Sequence, residues 1–355
     1  MLFAEEDYQK VVEFFRSLPG YSPTPLRSVP ALAKELGVEE VLIKDESRRL
    51  GLPAFKILGV LYAIDSLYRT GSVTRNSVLV CATDGNHGRA LAHVARQYGL
   101  AAKVYIHKGA APSRVQAIAA EGAEVIVVDG NYDDSVQQAA EAAETNGWTL
   151  FSDTSWPGNE TVPTLIMAGY TMLMSEAAEQ WERIPDVVMV QAGVGGLACA
   201  VVSWLSYKCG SKRPQVVCCE PEAAACVLES VRAGRPTSVA GALETIMAGL
   251  SCGTISSLAW PILRIGVDAC ITVSDVECLE ALRKLAYPGG KDPEVRAGES
   301  GACGLAALAS ILACPSFLPL RQSLHLDRAS RIFLINTEGI TDPEGYYRAT
   351  GRRPE

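Results

Sequence analysis

Much that would direct this sequence toward other functions is missing from it. No Cys-x-x-Cys occurs among its eleven scattered cysteines, so neither a zinc site nor a disulfide framework is indicated, and reduced, buried thiols in a cytoplasmic protein are expected. No uninterrupted apolar run reaches the ~18–20 residues that span a bilayer, so no membrane partner is expected. The first ten residues carry three acids and no long apolar core, and they do not read as a secretion signal. No basic run is longer than two residues, Arg352-Arg353 being one such pair, and with a net charge of -8 a nucleic-acid partner is not expected. There is no internal repeat and no low-complexity segment. What remains is 355 residues, 48% hydrophobic and 20% charged: a packed globular protein with the length for one large or two medium domains.

The chain alternates. Glu5 to Leu18 reads as a helix stopped by Pro19-Gly20, and Tyr21 to Leu26 runs extended because its prolines deny it helix. Ala31 to Leu36 makes a helical turn or two, and Val41 to Lys44 a strand. A regular series follows: helix Lys56 to Tyr68, strand Ser77 to Ala82, helix Arg89 to Tyr98, strand Ala102 to Ile106, helix Pro112 to Glu121, strand Glu124 to Val128, helix Asn131 to Thr145 and strand Thr149 to Phe151. Short strands separated by helices of roughly ten to fifteen residues mean parallel βαβ units. A second series has a helix from Pro163 toward Trp181, strand Val187 to Gln191, helix Leu197 to Tyr207, strand Gln215 to Cys219 and helix Glu222 to Arg232. Strands Ala269 to Val273 and Ile332 to Ile335 come later, flanked by helices Asp275 to Leu285 and Gly301 to Leu312. The expected class is α/β, in two units with a substrate cleft between their strand ends.

Lys56 lies between Phe55 and Ile57 after a Gly-Leu-Pro-Ala turn, with no carboxylate nearby in sequence. Desolvation would lower its pKa from ~10.4 and leave the free amine that adds to a carbonyl. The plainer reading is a snorkelling side chain with its head in water. Three Gly-rich turns sit at strand ends. Thr83-Asp-Gly-Asn-His-Gly88 joins a strand to a helix, so its N–H groups can hold an anion such as a substrate carboxylate, and Asp84, Asn86 and His87 add an acid, an amide and an imidazole. Ordinary turn chemistry is the alternative. Gly193-Val194-Gly195-Gly196-Leu197 has the geometry for a phosphate at a helix N-terminus. Glu220, ending the next strand, could instead be the ribose-binding acid of a dinucleotide fold and the mark of an NAD-linked dehydrogenase, a reading that leaves Lys56 unexplained. The third turn, Asn336 to Pro343, offers neutral hydrogen-bonding side chains.

A lysine, a carboxylate-sized anion site and a separate phosphate site are together what pyridoxal phosphate needs. Gly-Leu-Pro-Ala-Phe-Lys-Ile-Leu-Gly (51–59), Ala-Thr-Asp-Gly-Asn-His-Gly-Arg (82–89), Asp-Thr-Ser-Trp (153–156), Gly-Val-Gly-Gly-Leu (193–197), Thr-Ile-Met-Ala-Gly-Leu-Ser-Cys-Gly (245–253), Gly-Glu-Ser-Gly-Ala (298–302) and Asn-Thr-Glu-Gly-Ile-Thr-Asp-Pro (336–343) carry a resemblance across nearly the whole chain. The chain resembles the tryptophan synthase β-like family of pyridoxal phosphate enzymes, fold type II, and within it the branch that eliminates ammonia from 2,3-diaminopropionate. The resemblance implies two three-layer αβα units with mostly parallel sheets and the cofactor in the cleft between them. Residues 1–60 with 164–355 would form the larger cofactor-binding domain, and 61–163 a smaller inserted one that closes over substrate. A homodimer, a small amino-acid substrate and no metal are implied as well.

Carried over by motif, Lys56 holds the cofactor as an imine, Asn86 bonds its 3-hydroxyl, and the Gly193–Leu197 loop takes its phosphate. Asn336 or the adjacent Thr337 faces the pyridine nitrogen with a neutral group. Thr83, Asp84, Gly85, His87 and Asp153 are the implied substrate contacts. Lys56 would take the Cα proton of one enantiomer and Asp84 that of the other, while Asp153 would hold the β-amino group as a leaving ammonium; a helix cap is the alternative for Asp153. The implied reaction is α,β-elimination of 2,3-diaminopropionate to pyruvate and ammonia, with serine/threonine dehydration or β-replacement as alternatives. Val60 stands where the branch usually has a second glycine, and Trp156 is followed by Pro157-Gly158-Asn159 in place of Glu-Gly-Tyr, a change beside Asp153 that bears on substrate fit.

Overall fold

Residues 2–83 and 85–354 are described by the computed structural model, and they build two separate sheets. The chain begins with α1 (Glu5–Ser17), β1 (Leu26–Ser28), α2 (Pro30–Leu36) and β2 (Glu40–Asp45). It continues through α3 (Lys56–Arg69), β3 (Val78–Thr83), α4 (Asn86–Tyr98), β4 (Ala101–His107), α5 (Pro112–Ala120), β5 (Glu124–Val128), α6 (Tyr132–Asn146) and β6 (Thr149–Leu150). After α7 (Thr161–Gln180) come β7 (Val187–Gln191), α8 (Gly196–Cys209), β8 (Gln215–Pro221), α9 (Cys226–Ala233), α10 (Trp260–Gly266), β9 (Ala269–Val273), α11 (Asp275–Ala286), α12 (Glu299–Ala313), α13 (Leu318–Ser323), β10 (Arg331–Asn336) and α14 (Pro343–Thr350). The α/β alternation read from the sequence is therefore present nearly element for element.

The larger sheet runs β1-β2-β10-β7-β8-β9, antiparallel only between β1 and β2. The smaller runs β5-β4-β3-β6 and is wholly parallel. Parallel strands need helical crossovers, which cover both faces, and so β7 and β10 are buried at every residue. β10, late in the chain, is inserted between β2 and β7.

Two boundaries differ from expectation for local reasons. The helix expected from Glu222 is interrupted: a short 3₁₀ turn at Glu222–Ala224 precedes α9, whose start is fixed by Glu220, which accepts from the N–H groups of Val227 at 2.7 Å and Leu228 at 2.8 Å. Glu220 is thus a buried capping acid, and burial raises its carboxyl to about 8 against the pull of those two N–H groups. α4 begins at Asn86, three residues earlier than expected, because Gly85 at φ +144° lets the chain turn directly into it.

α3 and α7 cross glycine to glycine. A Cβ on Gly59 would lie 2.7 Å from the Ile166 carbonyl oxygen and one on Gly169 would lie 2.5 Å from that of Leu58, so neither position admits a side chain. This close approach seats the start of α3, and with it Lys56, against Tyr170 of α7.

Candidate active site

One pocket lies where the ends of β3, β7 and β10 meet the starts of α3, α4 and α8. Lys56 is the first residue of α3, and its amine reaches into the pocket past Phe55 and Tyr170, 5.5 and 6.0 Å from their ring centroids. The sequence near Lys56 offers no carboxylate; the fold supplies one. Lys56 Nζ donates to Asp153 Oδ2 at 2.5 Å. The expected depression of the amine is thereby reversed: burial pulls it down, but the Asp153 carboxylate, with Tyr170 adding to it, outweighs burial and holds Lys56 well above the ordinary lysine range. Asp153 shows the counterpart. Burial pushes its carboxyl up, the Lys56 ammonium overcomes that, and it is held down to about 2.

His87 is buried beside this pair. Its Nε2 lies 2.7 Å from the Phe151 carbonyl oxygen, and since a carbonyl only accepts, Nε2 carries the proton. Burial lowers the imidazole below its ordinary value, against the pull of Asp153, and the neutral ring leaves an Nδ1 lone pair with no hydrogen-bond partner, 3.9 Å from Asp153 Oδ2. Tyr132 donates to the other Asp153 oxygen, Oδ1, at 3.5 Å. Asp153 therefore lies among the Lys56 ammonium, the neutral His87 ring and the Tyr132 phenol, and no helix-capping bond from it is present among the described residues.

The second Gly-rich turn forms a cradle at the start of α8. Gly195 sits at φ +92°, a Cβ there would meet Leu263 at 2.8 Å, and one on Gly193 would meet Cys252 Sγ at 3.0 Å. The first N–H groups of α8 have no intrahelical acceptor, so the cradle suits an anion. Across the pocket, Asn86 Nδ2 donates to Glu338 Oε2 at 2.5 Å, and Glu338 Oε1 accepts from Ser300 N at 3.1 Å. Glu338 is buried and lines the pocket.

The pocket brings together Lys56, Thr83, Gly85, Asn86, His87, Asp153, Gly193, Val194, Gly195, Gly196, Leu197 and Thr337. Thr83 does so through its hydroxyl, which accepts from Gly85 N at 2.8 Å and Gly88 N at 3.0 Å and fastens the turn to itself. Asp84 lies outside the described residues. Asn336 is not in the pocket wall: its Nδ2 donates to Asp45 Oδ1 at 3.0 Å, because successive strand residues point to opposite faces and Thr337 takes the pocket side. Among the lining residues that the sequence reading did not assign to the site are Arg114, Tyr132, Tyr170 and Glu338. Of these four, only Glu338 carried a signal, an acid inside the Asn336–Pro343 turn; the others sit in unremarkable helices.

These features fit pyridoxal phosphate. A lysine amine, a glycine cradle that a Cβ would fill and an unpartnered imidazole lone pair are all directed into one cleft. Comparison with known proteins agrees. The sequence profile of the pyridoxal-phosphate dependent enzymes matches residues 18–326. Diaminopropionate ammonia-lyase of Escherichia coli strain K12 is 38% identical over 97% of this chain and 91% of its own length. The enzyme of the same name from Salmonella typhimurium is 39% identical over 95% of this chain and 90% of its own. The crystal structure of the Escherichia coli enzyme in complex with D-serine superposes with a TM-score of 0.92 at 37% identity, covering 98% of this chain and 92% of that one.

Proposed function

The chain belongs to the family of pyridoxal-phosphate dependent enzymes, and from that membership we propose that it breaks 2,3-diaminopropionate down to pyruvate and two ammonia by α,β-elimination and uptake of one water. When bound, pyridoxal phosphate supplies the electron sink that permits loss of the Cα proton and expulsion of the β-substituent. Lys56 would hold its aldehyde carbon, the Gly193–Leu197 cradle its phosphate, Asn86 its 3-hydroxyl, and Thr337 its ring nitrogen with a neutral hydroxyl.

The observation that carries this reading is the partly buried Lys56–Asp153 pair. Asp153 is kept ionised by a cation, and once Lys56 is committed to the cofactor, the cation that best replaces it is an ammonium group of the substrate. The β-ammonium of diaminopropionate supplies one; the β-hydroxyl of serine does not. His87 Nδ1, neutral and accepting, offers a second contact for that group. Lys56, released from its carboxylate, can take the Cα proton from one face. Asp84 keeps the role of base for the other enantiomer that the family resemblance implies.

The test is turnover of D- and L-diaminopropionate and of D- and L-serine, with pyruvate and ammonia measured together. Two ammonia per pyruvate are expected from diaminopropionate. Asp153→Asn should lower diaminopropionate turnover ~100-fold or more, as for a buried charge left without its partner, with a smaller effect on serine; unchanged diaminopropionate turnover contradicts the assignment. Asp84→Asn should lose one enantiomer selectively. The family resemblance supports a homodimer, and the eleven thiols, none in a disulfide, support a reducing, cytoplasmic compartment.

A further inference from the structure

The pocket contains a second cation. Arg114, the third residue of α5, lines it and is only 9% exposed. Two other arginines are buried, and both are neutralised: Arg49 lies 2.6 Å from Glu46 and 2.5 Å from Glu176, and Arg331 pairs with Glu40. Arg114 has no carboxylate within 4.0 Å among the described residues, and its one hydrogen bond is from Nη2 to the Thr341 hydroxyl at 3.4 Å. A guanidinium taken out of water without an anion is costly and cannot escape by losing its proton. Glu299 acts on it only from beyond 4.0 Å, so the place for an anion in contact with the guanidinium is left to a ligand.

The stem of Arg114 says where that anion lies. Its Cδ and Cγ are 2.9 and 3.3 Å from where a Cβ on Gly85 would be, so Gly85 must lack a side chain for the arginine to lie over the Thr83–Gly88 turn. In that turn the N–H groups of Gly85 and Gly88 are already used by the Thr83 hydroxyl. The N–H groups of Asn86 and His87, opening α4, have no acceptor within the helix. The phosphate cradle is built elsewhere, against Cys252 and Leu263.

We propose that Arg114 binds the α-carboxylate of the amino-acid substrate, together with the N–H groups that open α4. Any amino acid attached through its α-amine at the carbon held by Lys56 carries its carboxylate two bonds from that nitrogen, within the same cleft. A guanidinium fork matches a carboxylate with two parallel hydrogen bonds, which fixes the rotation about the Cα–N bond as well as the affinity. The inference rests on the reading of this site as one for α-amino acids, but not on which β-group leaves.

The experiment uses the cofactor-loaded protein and two probes without a leaving group, alanine and alaninamide, each as D and L forms, titrated against the visible absorption of the lysine-bound cofactor. Wild type should bind one or both alanine enantiomers much more tightly than the amides. Arg114→Gln should weaken alanine ~100-fold, change alaninamide less than threefold and leave cofactor affinity unaltered, while Arg114→Lys, which keeps charge but loses the fork, falls between. Equal weakening of acid and amide, loss of cofactor in place of loss of alanine, or a wild type that ignores alanine would each overturn the proposal. If Arg114→Gln does not fold, the acid-to-amide ratio of Arg114→Lys decides in the same way. Failure of the lyase reading shows separately, as no pyruvate from diaminopropionate.

Discussion

Lys56 and Asp153 set each other's protonation state, and neither behaves as it would alone. Because the folded-state pKa of Lys56 is raised, the amine is protonated through neutral pH and must lose its proton before it can attack an aldehyde. In Asp153→Asn the opposing carboxylate is gone and burial governs, so the amine drops below its ordinary value. Incorporation of pyridoxal phosphate into cofactor-free protein, followed by its visible band, should accelerate with pH in the wild type well into the alkaline range, and should level off at least ~1 pH unit lower in the variant. A shared pH profile would contradict the pairing. The sequence made Lys56 conspicuous because an isolated lysine among apolar residues is rare. Its partner was visible only as an acid after a strand, 97 residues away, and their meeting is a property of the fold.

Elements matter here chiefly through how closely they approach. The crossing of α3 and α7 leaves no room for a methyl group, and Gly169→Ala would press a Cβ onto the Leu58 carbonyl oxygen. The expected cost is ~1–3 kcal/mol of stability, read as a lower denaturation midpoint, with weaker cofactor binding because the start of α3 is displaced. Periodicity showed these helices plainly and hid their contact, since a glycine in an apolar helix looks like a local weakness until its neighbour is known. Alternation was hidden for a related reason in β10, where burial on both faces removes the period-two signal that would have separated Asn336 from Thr337. Arg114 had no local mark at all: an arginine three residues into a helix is ordinary, and only its burial without a carboxylate in contact among the described residues sets it apart.

At the scale of the whole molecule, a buried charge cluster ties the extended chain before β1 to β2 and α7. Glu176 accepts from Lys44 at 2.7 Å, from Arg49 at 2.5 Å and from Thr24 N at 3.1 Å. Burial pushes Glu176 up, but Arg49 and then Lys44 overcome it and hold the carboxyl down to about 2. A depressed carboxylate stabilises the fold above its unfolded pKa and loses that contribution as pH falls toward its folded one. Glu176→Gln should therefore lose ~3–5 kcal/mol at pH 7, where buried Lys44 loses its carboxylate partner and Arg49 keeps only Glu46, and the gap to wild type should narrow between pH 4.5 and 2 in urea unfolding curves. The position of β10 has a further consequence, for how the protein is made. The four strands β3 to β6 are contiguous in the chain and can pair as soon as they emerge from the ribosome, whereas β2 and β7 are held apart by a gap that only β10 can fill. A nascent chain thus carries an unfinished central sheet, with two hydrophobic strand edges exposed, until β10 itself has been translated.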